Sequence, residues 1–186
     1  MKKPLLFLLP AMLLSLNSCD DDTALAPFAP VVFLEDFQEA ENGTTLDIAE
    51  WGNFSEDGIL WHEETYSGNG YAALENENGS ATTSWLVSPP VNLEGAESLA
   101  FQSAQHHLAQ TGTNLEVFIS TDYTGDVAAA NWQPLDAVVA GYGNQWYTFV
   151  SSGSISLAGY SGTVHFAFKG VLPESGAYFI DNVKVF

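Results

Sequence analysis

The feature of this sequence that most constrains its fold is a series of short runs rich in Val, Ile, Phe, Tyr, Trp and Thr, separated by turn-forming Gly, Asn, Ser and Pro. No stretch keeps the 3.6-residue hydrophobic period of an amphipathic helix. Runs of this length and spacing predict β-strands joined by tight turns. The predicted strands are 31–37, 59–63, 70–75, 83–88, 97–105, 114–120, 132–138, 145–151, 162–169 and 177–186. About ten such strands favour an all-β fold, a jelly-roll β-sandwich of antiparallel strands.

Alternation along each strand predicts which side chains face the core. Successive side chains in a strand point to opposite sides of the sheet. Leu115, Val117 and Ile119 are therefore expected to share one face. In the last strand the same rule groups Asp181 with three apolar residues, Phe179, Val183 and Val185. In the first strand it groups Glu35 with Phe33 and Phe37, so two carboxylates are predicted at core-facing positions.

The charge of the chain excludes several classes of partner. The formal net charge is −19, and the four basic residues are the lysines Lys2, Lys3, Lys169 and Lys184. Proteins that bind nucleic acid neutralise its phosphates with Lys and Arg, so nucleic acid is excluded as a partner. The single cysteine, Cys19, excludes an intramolecular disulfide and a zinc site built from several cysteines.

The N-terminus has the features of a secretion signal. Lys2 and Lys3 precede an apolar stretch, residues 5–16, that is too short to span a bilayer. The stretch ends in LNSC (16–19), which resembles the lipobox of bacterial lipoproteins. The resemblance implies a signal peptide over residues 1–18, cleavage before Cys19 and lipidation of its thiol. The alternative is a soluble secreted protein with a free cysteine.

Residues 19–30 are predicted to form an extended tether, because they contain three acids and two prolines. An acidic run directly after a lipidated cysteine resembles the surface-export signal of Bacteroidetes lipoproteins. That resemblance implies a protein anchored by lipid in the outer membrane and exposed at the cell surface. DTA (22–24) also fits the loose O-glycosylation pattern of that group, which makes Thr23 a candidate acceptor.

Segments spread over residues 33–186 resemble the cleaved-adhesin or choice-of-anchor-J domains of Bacteroidetes surface proteins, which are jelly-roll relatives of the MAM domain. The matching segments are FLEDF (33–37), SWLVSPPVNL (84–93), LEVFISTDYTGD (115–126), NWQPL (131–135), WYTFVSSGSISLAGYSGTVHFAFK (146–169) and YFIDNVKVF (178–186). The resemblance implies one jelly-roll binding module over residues 31–186. Because no peptidase or export-tag domain accompanies the module, no enzymatic role is expected to come with it.

The two core-facing carboxylates are a candidate cation site. Burying an ionised carboxylate is costly without a partner, and two of them repel each other unless one is protonated or a cation lies between them. Relatives of this fold hold a structural calcium between an early Glu and a late Asp, so the resemblance implies calcium bound by Glu35 and Asp181. Oxygen ligands and an extracellular setting suit calcium. Asn69 or Asp57 are further candidate ligands, and hydrogen-bonded carboxylates without a metal are the alternative.

The histidines and hydroxyls give little support for catalysis. His62, His106, His107 and His165 are expected to be polar-face or loop residues, and His106 and His107 should point to opposite faces if both lie on a strand. A serine hydrolase would need a serine on a strained elbow, and the G-x-S-x-G motif does not occur. No catalytic residue is predicted.

Aromatic residues near residue 145 are candidates for ligand binding. Tyr142 lies in a glycine-rich loop. Trp146 and its neighbour Tyr147 lie in the predicted strand 145–151 and should point to opposite faces, so that one of them is exposed. Exposed rings can stack on the faces of sugars. The expected function is a non-catalytic binding or adhesion lipoprotein whose partner is an extracellular glycan or protein. The alternatives are a carbohydrate-binding accessory lipoprotein of a glycan-uptake system and, less favoured, a hydrolase.

Overall fold

A computed structural model describes residues 30–48 and 50–186 of the chain. The signal peptide, the tether, Cys19 and Thr23 of the sequence-based predictions lie outside these residues, apart from Pro30. Within the described part, every regular element is a β-strand. The strands are β1 Phe33–Glu35, β2 Thr44–Thr45, β3 Gly52–Ser55, β4 His62–Tyr66, β5 Asn69–Asn76, β6 Thr82–Val87, β7 Val91–Asn92, β8 Ser98–His106, β9 Asn114–Ser120, β10 Gln133–Leu135, β11 Val150–Ser151, β12 Ile155–Ser156, β13 Thr163–Leu172 and β14 Gly176–Val185.

The strands form two sheets in which all pairings are antiparallel. The large sheet has the order β11-β8-β14-β5-β4-β2, with β1 also beside β14 and β12 also beside β8. The small sheet has the order β10-β9-β13-β6-β3, with β7 also beside β13. The two sheets pack face to face, which confirms the predicted all-β jelly-roll sandwich. Among the described residues there is no helix long and apolar enough to cross a bilayer.

The main core lies between the two sheets and follows the predicted alternation in the long central strands. Leu115, Val117 and Ile119 are buried on one face of β9. Phe101 of β8 and Phe168 of β13 meet across the sandwich with ring centroids 5.0 Å apart, at an interplanar angle of 76°. Because edge-to-face packing of this kind adds to the burial of apolar area, these rings hold the two sheets together.

A tight hairpin joins β4 and β5 and fixes their alignment. Ser67 and Gly68 both have positive φ, 53° and 82°, as a two-residue hairpin turn requires. The pairing therefore runs from Tyr66 opposite Asn69 to His62 opposite Ala73. This register decides which side chains of the two strands lie together on the outer face of the large sheet.

The alternation predicted for the last strand is wrong because the strand contains a β-bulge. Asp181 pairs with Gln102, whereas Lys184 pairs with Ala100, so β14 has one residue more than β8 over this stretch. Asn182 lies within this bulge and has a positive φ of 53°. An extra residue reverses the faces of all later side chains. Val183 and Val185 therefore reach the main core, while Asp181 lies on the same side as Phe179, away from the small sheet.

Candidate functional site

The outer face of the large sheet, turned away from the small sheet, carries a second apolar cluster. Its buried members come from alternate positions of three neighbouring strands: Tyr71 and Ala73 of β5, Ala104 of β8, and Ala177 and Phe179 of β14. The intervening residues of the same strands belong to the main core. Because the alanine side chains are small, this part of the sheet surface is shallow, and the aromatic side chains of the cluster project beside it.

The segment that leads into β11 supplies more rings to this face. Tyr147 stacks on Phe179 with centroids 5.5 Å apart and an interplanar angle of 25°. Phe149 packs edge-on against Tyr71 at 5.7 Å. Together with Tyr66 and Asn69 these side chains line a hollow of about 200 Å³. We call this group of rings, with His106, His107 and Trp146 described next, the aromatic face.

Two histidines continue the aromatic face toward the end of β8. The His106 ring stacks on Tyr147 at 4.5 Å, and the His107 ring lies 4.0 Å from Trp146. His106, His107 and Tyr147 line a second hollow of about 310 Å³, with Glu75, Gly176 and Ala177. Burial lowers the pKa of His106, and the neighbouring His107 lowers it further. The lowered pKa favours the neutral ring, which offers both a hydrogen-bond donor and an acceptor.

The two predicted ligand-binding residues, Trp146 and Tyr142, lie in different surroundings. Trp146 belongs to the aromatic face and is 50% exposed, and Tyr147 beside it is 53% exposed. The prediction that they lie on opposite faces of a strand is wrong, because strand β11 begins only at Val150 and both rings contact His106. Tyr142 is 56% exposed but stacks on no other ring of the described residues.

The expectation that His106 and His107 point apart is also wrong. β8 ends at His106, and His107 takes a positive φ of 51°. This turn brings the two ring centroids to 4.1 Å from each other. Because alternation holds only inside a strand, no pattern in the sequence indicates that the pair joins one surface.

The predicted carboxylate pair lies at a seam in the large sheet. Two strands follow each other along the same edge of β14: β5 pairs with Gly176–Ile180, and β1 pairs with Val183–Val185. Asp181 and Asn182 lie where one partner ends and the other begins. Glu35, the last residue of β1, is opposite Val183 and so points to the core side, whereas Asp181 points to the outer side. The two carboxylates thus approach the seam from opposite sides and do not share a face.

Both carboxylates are shielded from solvent and hydrogen-bonded. Glu35 is half-buried and accepts hydrogen bonds from the Phe37 amide at 2.7 Å and from the Trp51 indole at 3.3 Å. Asp181 is 1% exposed and accepts bonds from the Asn69 side chain at 3.0 Å and the Asn182 amide at 2.6 Å. Burial is the largest influence on both groups and raises the pKa of each carboxyl, and the charge of Asp36 raises both further.

Of the two further ligands predicted from the sequence, Asn69 reaches the seam and Asp57 does not. Asn69 bonds to Asp181 and accepts a bond from the Gln38 side chain at 3.2 Å. Asp57 instead joins β3 to β6, where its carboxylate accepts bonds from Thr82 and from the Thr83 amide. Asp36, which was not among the predicted ligands, is the charged neighbour that Glu35 and Asp181 have in common.

Several solved structures share this fold. The K1 cleaved adhesin domain of Lys-gingipain from Porphyromonas gingivalis W83 is 17% identical, with a TM-score of 0.59 over 83% of this chain and 96% of that one. The K3 cleaved adhesin domain of the same protein is 18% identical, with a TM-score of 0.57 over 84% and 99%. TmCBM61, solved in complex with beta-1,4-galactotriose, is 12% identical, with a TM-score of 0.52 over 81% and 93%. These likenesses confirm the adhesin-like jelly-roll fold. No protein-family model and no curated protein sequence matches the chain.

Proposed function

We propose that this protein is a non-catalytic binding module that holds a glycan on its aromatic face. The observation that carries the proposal is the unbroken series of rings from Tyr71 through Phe179, Tyr147 and His106 to Trp146, half exposed at its outer end. Ring faces bind the apolar faces of sugars, and the neighbouring amide, imidazole and carboxylate groups can bond sugar hydroxyls.

The charge of the protein narrows the class of glycan. The net charge is −19, and Glu75 and Glu77 line the hollow beside His106. The two lysines of the described residues lie elsewhere, Lys169 beside Glu116 on the small sheet and Lys184 over the Phe186 ring. A surface of this kind repels uronic or sulfated sugars. The expected ligand is a neutral oligosaccharide.

Solved structures with the same fold support a binding role. They include domains described as cleaved adhesins and a module solved with a galactose trisaccharide. The proposal for this chain rests on its own rings, since a shared fold does not carry function by itself.

Truncation of the exposed rings tests the glycan proposal. Tyr147→Ala and Trp146→Ala should each weaken binding of a neutral oligosaccharide about 2–10-fold, because a stacked ring contributes on the order of 1 kcal/mol. A glycan array identifies the ligand, and calorimetry on the purified domain measures the affinities. Tyr142→Ala is the matched comparison, since Tyr142 is equally exposed but joins no ring stack. A wild-type domain that binds no array glycan would contradict the proposal.

We further propose that the seam holds a structural calcium ion. The donor set fits this ion: the carboxylates of Glu35, Asp36 and Asp181 and the side-chain oxygen of Asn69 lie around a break in the sheet, and calcium prefers oxygen ligands. Neither lysine of the described residues pairs with these acids. Calcium would supply the missing positive charge and tie β1 to β14.

The location of the module is proposed from the sequence alone. Lipidation at Cys19 would anchor it to the outer membrane, with residues 20–30 as a spacer and the binding module at the cell surface. Such an anchor suits an adhesin and also an accessory protein that delivers glycans to an uptake system.

A Cys19→Ala variant tests the anchor. Expressed in a bacterium that processes lipoproteins, the wild-type protein should fractionate with membranes, while the variant should be released or remain unprocessed because it lacks the acceptor thiol. Immunoblots of membrane and soluble fractions, with mass spectrometry of the mature N-terminus, measure both effects. A correctly cleaved variant that stays in the membrane fraction would show that the lipid is not the anchor.

A further inference from the structure

A cluster of one histidine and two glutamates lies on the outer face of the large sheet, beside the aromatic face. His62 and Glu64 are alternate residues of β4, and Glu75 comes from β5. One ligand atom of each side chain lies within 4.8 Å of the other two. The hairpin register creates this group. It sets His62 opposite Ala73, one step along the same face from Glu75, and it sets Glu64 opposite Tyr71, one step on the other side.

The two separations from His62 are close to those between ligands around a tetrahedral zinc ion. The His62 Nε2 atom lies 3.4 Å from Glu75 Oε2 and 3.9 Å from Glu64 Oε1. Zinc bonds of about 2.1 Å at tetrahedral angles place neighbouring ligand atoms about 3.4 Å apart. Imidazole nitrogen together with carboxylate oxygen is a donor set that suits zinc and related transition metals better than calcium.

A neighbouring side chain orients one of the carboxylates toward the centre of the cluster. The Tyr71 hydroxyl donates to Glu64 Oε2 at 3.4 Å, which leaves Oε1 facing His62. Hydrogen bonds to ligand side chains from surrounding groups are a regular feature of metal sites. The three side chains are each about a quarter exposed, between 25% and 27%. A metal held there keeps an open side toward solvent, where water or a ligand group completes the coordination.

The cluster also lacks a fixed positive charge. The described residues contain two lysines; Lys169 pairs with Glu116 on the small sheet, and Lys184 lies over the Phe186 ring. A divalent metal ion between the two converging carboxylates would neutralise their charge.

We propose that His62, Glu64 and Glu75 form a binding site for a zinc-class divalent transition metal. The site is independent of the calcium seam and does not depend on the glycan proposal.

Calorimetry with zinc chloride on the purified protein, without a histidine tag and with 10 mM calcium present, tests the site. We expect one zinc ion per chain, and we expect His62→Gln and Glu75→Gln each to weaken binding at least about tenfold. Long-range proton–nitrogen spectra of the imidazoles should show His62 changing on zinc addition, whereas His165, which bonds to the Ser88 carbonyl on the small sheet, should not change.

Two matched variants separate this site from the others. Asp181→Asn should lose the response to calcium but keep zinc binding, and His107→Gln should keep zinc binding because His107 lies outside the cluster. Absence of zinc binding to the wild type would overturn the proposal and leave His62 as a surface neighbour of the two glutamates. Zinc binding that survives His62→Gln but disappears in His107→Gln would place the metal at the aromatic face and also overturn it.

Discussion

Replacing Gly70 with alanine should destabilise the fold severely, lowering the free energy of unfolding by about 3–4 kcal/mol. A β-carbon at this position would overlap the Phe37 carbonyl oxygen and lie 2.9 Å from the carbonyl carbon. The Ala40 β-carbon, at 3.1 Å, blocks movement in another direction. Because the obstacle is backbone, no side-chain rotation can relieve it. Thermal or urea unfolding of the variant measures the loss, expected as a fall in Tm of roughly 10 °C.

Gly141→Ala is the matched control for this prediction. A β-carbon at Gly141 meets no atom within 4 Å, and its φ is not in the left-handed region. Its Tm should therefore stay within about 1 °C of the wild type, since an exposed alanine without strain changes stability little. If both variants melt together with the wild type, the close approach of Phe37 to β5 is not a feature of the folded protein in solution.

Calcium should raise the Tm of the wild-type protein by roughly 3–10 °C, and chelator should reverse the rise. An ion that binds only the folded state stabilises it by RT ln(1 + [Ca]/Kd). For extracellular sites with Kd of about 0.1–1 mM, about 10 mM calcium contributes about 1.4–2.7 kcal/mol. Magnesium should substitute poorly because it gives up its water ligands reluctantly. Differential scanning calorimetry with calcium, magnesium or chelator measures all three effects.

Asp181→Asn is the decisive variant for the calcium proposal. Asparagine keeps the size of the side chain but removes the charge, so the Tm should no longer respond to calcium. Asp122→Asn is the matched control, because the Asp122 carboxylate lies outside the seam, bonded to Ser120 and Asn131. Melting curves of the wild type that coincide in calcium and in chelator would show that Glu35 and Asp181 are hydrogen-bonded acids without a metal.

The pH dependence of stability should differ with and without calcium. In chelator, the pKa values of Glu35 and Asp181 are raised in the folded state, so the folded protein binds protons more readily than the unfolded chain. These two groups therefore destabilise the fold at neutral pH, and this destabilisation is relieved as the pH falls through the raised pKa values toward the ordinary carboxyl range. Bound calcium favours the ionised forms and should remove this gain on acidification. Urea unfolding at a series of pH values, in calcium and in chelator, measures the difference.

The sequence predicted the strands that carry long alternating patterns and missed those that do not. Predicted strand 114–120 matches β9, and its buried face of Leu115, Val117 and Ile119 is confirmed. Strands β2, β3, β7 and β12 were missed because they are short, two residues each except for the four of β3, and pair at sheet edges or alongside a longer neighbour. A two-residue strand is stabilised by its partner, and its own sequence carries no periodicity to recognise.

The candidate sites were harder to predict because they depend on departures from regular geometry. The faces of Asp181 and His107 were mispredicted, since a bulge and a left-handed residue cannot be seen in an alternation pattern. The cluster around His62 could have been found. Ser67-Gly68 between two strand-like runs predicts a two-residue hairpin, and counting outward from it places His62 one step from Glu75 on the same face.

The extra residue in β14 also fixes how that strand aligns with its neighbours. In a strand that alternates without interruption, a slip by two residues returns every side chain to its former face, so several alignments compete. β14 lacks this freedom, because its bulge occurs once, between the end of β5 pairing and the start of β1 pairing. If β14 shifted by two residues against its neighbours, Asn182 with its left-handed backbone would have to fit into regular strand pairing. The point at which the side chains of β14 switch faces would also no longer coincide with the start of the β1 pairing. The large sheet can therefore assemble around its central strand in one alignment, which guards the folding chain against mispaired and domain-swapped forms.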